Sequence, residues 1–182
     1  FVVDWTRVRK WFGSDPVVII GEESGMEMLD LRVYLEGAYN GTDMNTDLNS
    51  LSLLPLSQPY NSIPWNYPGT ETVVEIPNPE VVDWVLVDMR DAASAANATA
   101  ATSVRKRAAF VLSDGSVVAS NGSNRLTTPF LINQNLYVVI WHRNHLGIMS
   151  SNPLINANDV YTYDFSNAVT KVYGGINGCI QL

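Results

Sequence analysis

The sequence predicts an all-β fold, an antiparallel β-sandwich of about nine to ten strands with one long irregular loop region. Three observations favour this class. Apolar and polar residues alternate in short runs, Gly, Asn, Asp and Pro separate these runs, and no full window repeats with a helical period. The chain has 182 residues, a length that suits one all-β domain with a single core.

Individual runs illustrate the pattern. Residues 29–36 alternate apolar and polar side chains, as in a strand with one face exposed to water. Residues 81–89 are apolar on both faces and predict a central strand, while 135–143 and 161–165 predict two later strands. The pair Asp114-Gly115 predicts a two-residue hairpin turn of type I′, because Asp-Gly tolerates positive φ angles.

Two segments interrupt the strands. Three prolines between residues 58 and 69 exclude a helix or a central strand there, so the loop is either functional or a cover over the core. The alanine-rich segment 91–102 fits either a short helix capped by Asp91 or a mobile insertion.

We divide the chain into a strand-like segment 1–28, either swapped or packed on the same domain, and a sandwich module 29–182.

Composition favours an exported module. Charged residues make up 16% of the chain, against about a quarter in ordinary domains, so Asn, Ser, Thr and Gly must supply the polar surface. The net charge of −7 argues against nucleic acid or an anionic membrane as partner, because phosphates are bound through basic patches. No apolar run is long enough to cross a bilayer, so we expect no membrane insertion.

The chain has one cysteine, Cys179, which allows no disulfide within the chain. Its environment near the end of the sequence fits a small apolar residue, and the alternative is a link between chains. Secretion does not require disulfides in a domain of this size, so a single cysteine is compatible with an extracellular protein.

Six blocks follow one another in a specific order: Tyr34-Leu35-Glu36-Gly37, residues 44–49, residues 54–60, residues 82–92, Leu112-Ser113-Asp114-Gly115 and residues 137–149. Together they resemble a β-rich module near the C-terminal end of large secreted or cell-surface proteins of Bacteroidota-type bacteria, some of them hemagglutinin-like or adhesin-like. The resemblance covers roughly residues 29–166. It implies export and residence at the cell surface or outside the cell, and it supplies no catalytic residues.

Members of that family often continue into a dockerin-like calcium segment and a sorting tail. Neither is visible in this sequence, so we expect that the chain was cleaved or truncated after Leu182.

One segment has the spacing of a calcium loop. Oxygen-bearing side chains stand at four alternate positions: Asp43, Asn45, Asp47 and Asn49. Ca²⁺ is bound by six to eight oxygens, so calcium is the one cofactor that the sequence suggests. The EF-hand pattern is not followed, because Leu48 replaces the turn glycine and Leu54 the bidentate glutamate. Asn and Asp are also ordinary loop residues, which leaves a purely structural interpretation open.

Aromatic and amide side chains crowd the proline-rich loop: Tyr60, Trp65, Tyr67, Asn61 and Asn66. Flat rings on a rigid loop can stack on sugars while the amides bind hydroxyls, which predicts a polysaccharide site. The alternative is that the rings fold back over one end of the sandwich, as large aromatic residues usually do.

The two histidines suggest a metal site only weakly. Three positions apart on one strand, His142 and His145 point to opposite faces, so they share a metal only if the strand breaks at Asn144. With no cysteine nearby, we favour a structural histidine beside Arg143 over zinc.

We predict no catalytic residues. No Gly-x-Ser-x-Gly elbow is present. Asp83, Asp88 and Asp91 could supply the two carboxylates of a glycosidase, but the sequence does not give the distance between their carboxyl groups. An enzyme would need a pocket that joins several carboxylates or both histidines.

The N-terminal run is apolar and strand-prone, and it consists of Phe1, Val2, Val3, Asp4 and Trp5. Such a run can complete the sheet of another subunit by β-augmentation, which predicts self-association through Phe1, Val2, Val3 and Trp5. The alternative is that it pairs within its own domain and protects an edge.

These observations together predict a non-enzymatic extracellular structural or adhesion module. We expect it to be a subunit of a surface assembly or filament, a homo-oligomer, or a neighbour of further domains in a larger secreted protein. The alternative function is a carbohydrate-binding module that binds polysaccharide through the aromatic residues of the 58–69 loop.

Overall fold

The computed structural model describes residues 26–179, and it confirms the all-β prediction. Within these residues, nine strands form one mixed, strongly curled sheet. They are β1 (Met26–Arg32), β2 (Val81–Ala92), β3 (Ser103–Leu112), β4 (Ser116–Val118), β5 (Leu126–Pro129), β6 (Asn135–His142), β7 (His145–Met149), β8 (Ile155–Ala157) and β9 (Val160–Asp164). A four-residue α-helix, α1 (Asp47–Ser50), and four 3₁₀ turns (Ala95–Asn97, Ala100–Thr102, Val169–Lys171 and Gly175–Asn177) complete the described chain.

The sheet runs in the order β7-β6-β2-β3-β4-β1-β9-β8, with β5 also paired to β1. Two separate sheets of a sandwich do not appear among residues 26–179, because β1 joins both halves. It pairs antiparallel with β4 and β5 on one side and parallel with β9 on the other. The predicted antiparallel pairing therefore has one parallel exception in the part of the chain that is described.

The concave face of the sheet encloses the main core. Strands from both ends of the sheet contribute buried side chains to one cluster, which includes Leu29, Val85, Val111, Val138 and Tyr163. Residues from distant strands can meet only if the sheet curls around them. Strand β2 lies near the middle and is buried along almost its entire length, as its apolar sequence predicted.

The opposite face of β2 and β3 is covered by residues 51–76, which we call the covering segment. It packs Leu54, Tyr60 and Tyr67 against a second cluster that includes Trp84 and Phe110. Tyr60 has no exposed surface, and its hydroxyl donates to the Trp84 carbonyl at 2.6 Å. The Trp84 indole in turn donates to the Pro55 carbonyl at 2.8 Å. The proline-rich loop is therefore a cover over the core, one of the two predicted alternatives.

The alanine-rich segment is a pair of 3₁₀ turns, and Asp91 lies in β2 rather than at a helix cap. Arg90 holds this segment by donating to the Ala98 carbonyl at 2.8 Å. The Arg90 guanidinium also pairs with Asp88 at 2.9 Å in a buried contact. A buried charge is costly unless it is paired, so the Asp88 carboxylate offsets the cost of burying the guanidinium that binds Ala98.

Strand β1 begins at Met26, and Met26–Met28 pair with β5. One local prediction needs correction. The Asp114-Gly115 turn does join β3 to β4, but only Gly115 has positive φ, at 87°. A type I′ turn requires positive φ at both central residues. The loop therefore spans three residues, and its last position is the one that glycine suits.

Candidate functional site

A groove of about 750 Å³ lies beside β7. We call it the β7 groove. Its walls come from residues 33–39 after β1, from residues 140–148 of the β6–β7 hairpin and from residues 165–179 near the end of the described chain. Strands β1 and β7 are far apart in sheet order. The groove is therefore the gap that remains where the curled sheet fails to close on itself.

Strand β7 forms an edge of the sheet, and β8 forms the other edge. Both expose large apolar side chains: Leu146 in β7 is 91% exposed and Ile155 in β8 is 72% exposed. Exposed apolar residues on an edge strand favour pairing with another chain, because the edge also presents unpaired backbone groups. Both edges are thus candidate association surfaces.

The β6–β7 hairpin carries a chain of hydrogen bonds between buried and partly buried groups. His142 lies 3.1 Å from Asp83 through Nε2, and its Nδ1 lies 2.7 Å from Nδ1 of His145. Asp83 also accepts from Arg143 at 2.9 Å. Because the Asp83 carboxylate accepts, His142 donates from Nε2 and accepts at Nδ1. His145 then donates from Nδ1 and keeps a lone pair on Nε2.

That lone pair faces Gly37 on the opposite wall of the β7 groove, and the Gly37 N–H donates to it at 3.5 Å. The pKa of His145 is lowered, first because burial removes the charged ring from water and then because His142 repels it. Glu36 and Asp83 act in the opposite direction by attracting the charged ring. Relative to the unfolded chain, the folded protein therefore favours the neutral ring.

The two histidines meet because the strand does break between them. Strand β6 ends at His142, β7 begins at His145, and the two residues are opposite one another across the hairpin. The expectation of opposite faces assumed one continuous strand and is wrong for this reason. A turn at Arg143-Asn144 was the signal available in the sequence, because apolar alternation continues on both sides of that pair.

The predicted carbohydrate residues are divided between core and surface. Tyr60 and Tyr67 are buried between the covering segment and the sheet, and Tyr67 donates to Glu71 at 2.5 Å. Trp65 is partly buried and packs edge-on against Tyr60, with ring centroids 5.2 Å apart. Asn61 and Asn66 are exposed. A sugar cannot stack on a ring that has no exposed face, so the structure corrects the prediction for Tyr60 and Tyr67.

The predicted calcium residues lie in and around α1. Asp43 and Asp47 are exposed, and Asn45 accepts a hydrogen bond from Asn40 at 3.2 Å. The Asn49 amide donates to the carbonyls of Asn78 and Pro79, at 2.9 and 3.2 Å, so it fastens α1 to the start of β2. Among residues 26–179 no group of three or more His, Cys, Asp or Glu is arranged to hold a metal.

The three carboxylates considered for glycoside chemistry are engaged separately. Asp83 is bound by His142 and Arg143, and Asp88 by Arg90 and Ser103. Asp91 accepts from the backbone N–H groups of residues 133 and 134, at 2.8 and 2.9 Å. Each carboxylate therefore fastens a different pair of segments.

A second cavity of about 690 Å³ lies beside β3 and contains the basic run Arg105-Lys106-Arg107. Arg107 lies 3.7 Å from Glu71 of the covering segment. This ion pair joins the strand to its cover, so the basic run is partly used within the fold.

Two further predictions concern the ends of the chain. Phe1, Val2, Val3 and Trp5 lie outside the described residues. Cys179 lies in the wall of the β7 groove, where it is partly buried, packs against the main core and donates weakly to the Gly175 carbonyl at 3.6 Å.

Comparison with protein-family models, curated proteins and solved structures finds no match to this chain. The resemblance to Bacteroidota surface modules therefore stays a prediction. No helix in the described part of the chain is long and apolar enough to cross a membrane.

Proposed function

We propose that this chain is a non-enzymatic extracellular structural or adhesion module that associates with further copies of itself in a surface assembly. One observation carries the proposal: the two edge strands of the described sheet each expose a large apolar side chain, Leu146 on β7 and Ile155 on β8. A sheet with such edges on both sides can bind neighbours at each end. Edge-to-edge association is then the expected mode of assembly.

Other features support the proposal without carrying it. The low content of charged residues and the sequence resemblance both favour a surface protein. The polar atoms of the His142–His145 pair contact Asp83, Asn144, Gly37 and one another, so they act as hairpin contacts. This arrangement fits a structural module better than a reaction centre.

Particle size tests the proposal directly. Light scattering of the full chain over a range of concentrations should show particles that grow with concentration. The measurement is made in calcium and again in EDTA, because a loss of particles in EDTA would indicate calcium binding near Asp43 and Asp47. A monomer at every concentration in both buffers would contradict the proposal.

Edge variants test whether the apolar side chains are responsible. Leu146→Lys and Ile155→Lys each place a charge on an edge strand, which should suppress association. The matched control is Val74→Lys, because Val74 is 95% exposed but lies in the covering segment, away from both edges. Equal association by the control and both edge variants would exclude the edges as the contact.

A further inference from the structure

We propose that the β7 groove receives residues 1–12 of a second copy of this chain, which add to β7 as an extra strand. This inference rests on the proposed function, because it requires contact between copies. It names the acceptor site and the segment that fills it.

The backbone of β7 provides the first argument. The edge is already paired from the last residue of β7 onward, since Tyr173 N–H donates to the Met149 carbonyl at 2.8 Å and Ser151 N–H donates to the Lys171 carbonyl at 3.0 Å. The register with β6 shifts between the pairs His142–His145 and Ile140–Ile148, so Leu146 and Gly147 form an irregular stretch of this edge. Within residues 26–179 no second strand pairs with β7 there. The open stretch can therefore accept an extended segment.

The β7 groove provides the second argument. Its volume of about 750 Å³ lies within the range of roughly 300–1,000 Å³ that is typical of ligand pockets. Much of its wall is apolar, including Leu35, Ile148 and Phe165. An added strand would place alternate side chains into this cavity while its backbone pairs with β7.

Charge provides the third argument. Glu36 is the one Asp, Glu, Lys or Arg among the described residues that line the groove. Residues 1–12 contain Arg7, Arg9, Lys10 and Asp4, a net charge of +2, whereas the whole chain carries −7. The same segment has apolar residues at alternate positions 1, 3 and 5. It thus combines strand patterning with a charge that complements Glu36.

Cys179 is a built-in reporter for occupancy of the groove. It is the only cysteine of the chain and lies in the groove wall. We would measure its rate of reaction with a thiol reagent in the full chain at increasing concentration, and record light scattering on the same samples. Reaction should slow by about tenfold or more as particles form, because an occupied groove must open before the reagent enters.

Charge reversal tests the contact itself. Glu36→Lys should weaken association about tenfold, since a rim charge pair gives a modest effect on affinity. The control is Glu75→Lys, an exposed carboxylate of the covering segment outside the groove. Reversing Arg7, Arg9 and Lys10 to Glu should weaken association similarly, and combining that change with Glu36→Lys should restore part of it.

The outcomes separate this inference from the proposed function. Absence of any assembly contradicts both. Assembly with unchanged Cys179 reactivity, or assembly that Glu36→Lys leaves intact, overturns the groove as acceptor while self-association stands. A monomer with Cys179 protected at every concentration shows that the segment fills the groove of its own chain, which overturns the second copy as its source.

Discussion

The covering segment and the β7 groove differ in how an apolar surface of the sheet is treated. On the covered face, Trp84 and Phe110 pack with ring centroids 4.0 Å apart beneath Tyr60 and the prolines around it. At the groove, Trp141 and Tyr34 line a cavity. Residues 51–76 close one apolar surface, whereas residues 26–179 leave the other open.

The difference shows that apolar sequence does not by itself indicate burial. Both regions are rich in aromatic and aliphatic residues. Among the described residues, the proline-rich loop packs on the face of β2 and β3 and is long enough to cover it. Where the described chain supplies its own cover, the region is part of the core. Where it does not, a partner can supply the cover, which is the basis of the proposal for the groove.

The largest expected effect is in the covered region. Tyr60→Ala removes a buried ring and leaves the Trp84 carbonyl without its donor. We expect the free energy of unfolding to fall by about 3–5 kcal/mol, as for other buried aromatic truncations. Urea denaturation measures this loss. Tyr60→Phe, which removes only the hydroxyl, should cost about 1 kcal/mol, and equal losses for the two variants would contradict the packing role.

A smaller effect is expected where the hairpin borders the groove. In Gly147→Ala the added Cβ would lie 2.3 Å from Cε3 of Trp141. The indole must shift, so we expect a loss of about 1–3 kcal/mol. Gly37→Ala is the matched control, because its Cβ would lie 3.8 Å from His145 Nε2, an ordinary contact. Thermal melts of both variants test the difference, and an unchanged melting temperature for Gly147→Ala would show that β7 is looser than described.

Acidification should weaken the hairpin, because the folded protein holds the pKa of His145 below its ordinary value of 6.5. Between the folded and unfolded pKa values the unfolded chain binds more protons, so stability is highest above pH 6.5 and falls as the pH drops toward the folded value. Protonation of Nε2 also removes the acceptor for Gly37. Urea unfolding across this window measures the slope, and His145→Gln should flatten it. The same slope in the variant would mean that other groups cause it.

The smallest expected effect is at the edge of the sheet. Leu146→Ser should change the free energy of unfolding by less than about 0.5 kcal/mol, because an exposed side chain loses little on truncation. Denaturation at low protein concentration measures it, and a large loss would mean that Leu146 already packs against something in the single chain. This result would remove the contrast between the open and covered regions.

The sequence predicted the strands more reliably than their assembly. Apolar runs located β2 and β6, because residues 84–87 and 136–141 are apolar without interruption. It did not predict the single curled sheet, because the parallel pair of β1 with β9 joins residues that are distant in the chain and share no local signal. The turn at Gly115 was located correctly but assigned the wrong type, since one residue of loop length changes the φ angles that a hairpin requires.

The candidate site shows the same limit. His142 and His145 were identified, but their contact depends on a two-residue turn that contains neither Gly nor a positive φ. Tyr60 and Tyr67 were expected either to bind sugar or to fold inward. They fold inward, where the Tyr60 hydroxyl donates to the Trp84 carbonyl and the Tyr67 hydroxyl donates to Glu71. Sequence patterns give faces of strands, whereas a site is made by contacts across them.

The parallel pairing of β1 with β9 also has a consequence in time. Strand β1 is synthesised first among the described strands, and its partner Val160–Asp164 is synthesised last. Contacts between distant parts of a chain form slowly, because a long loop must close before they stabilise anything. During synthesis, one edge of β1 therefore stays unpaired until nearly the whole described chain has emerged. The described sheet becomes complete only when β9 pairs with β1.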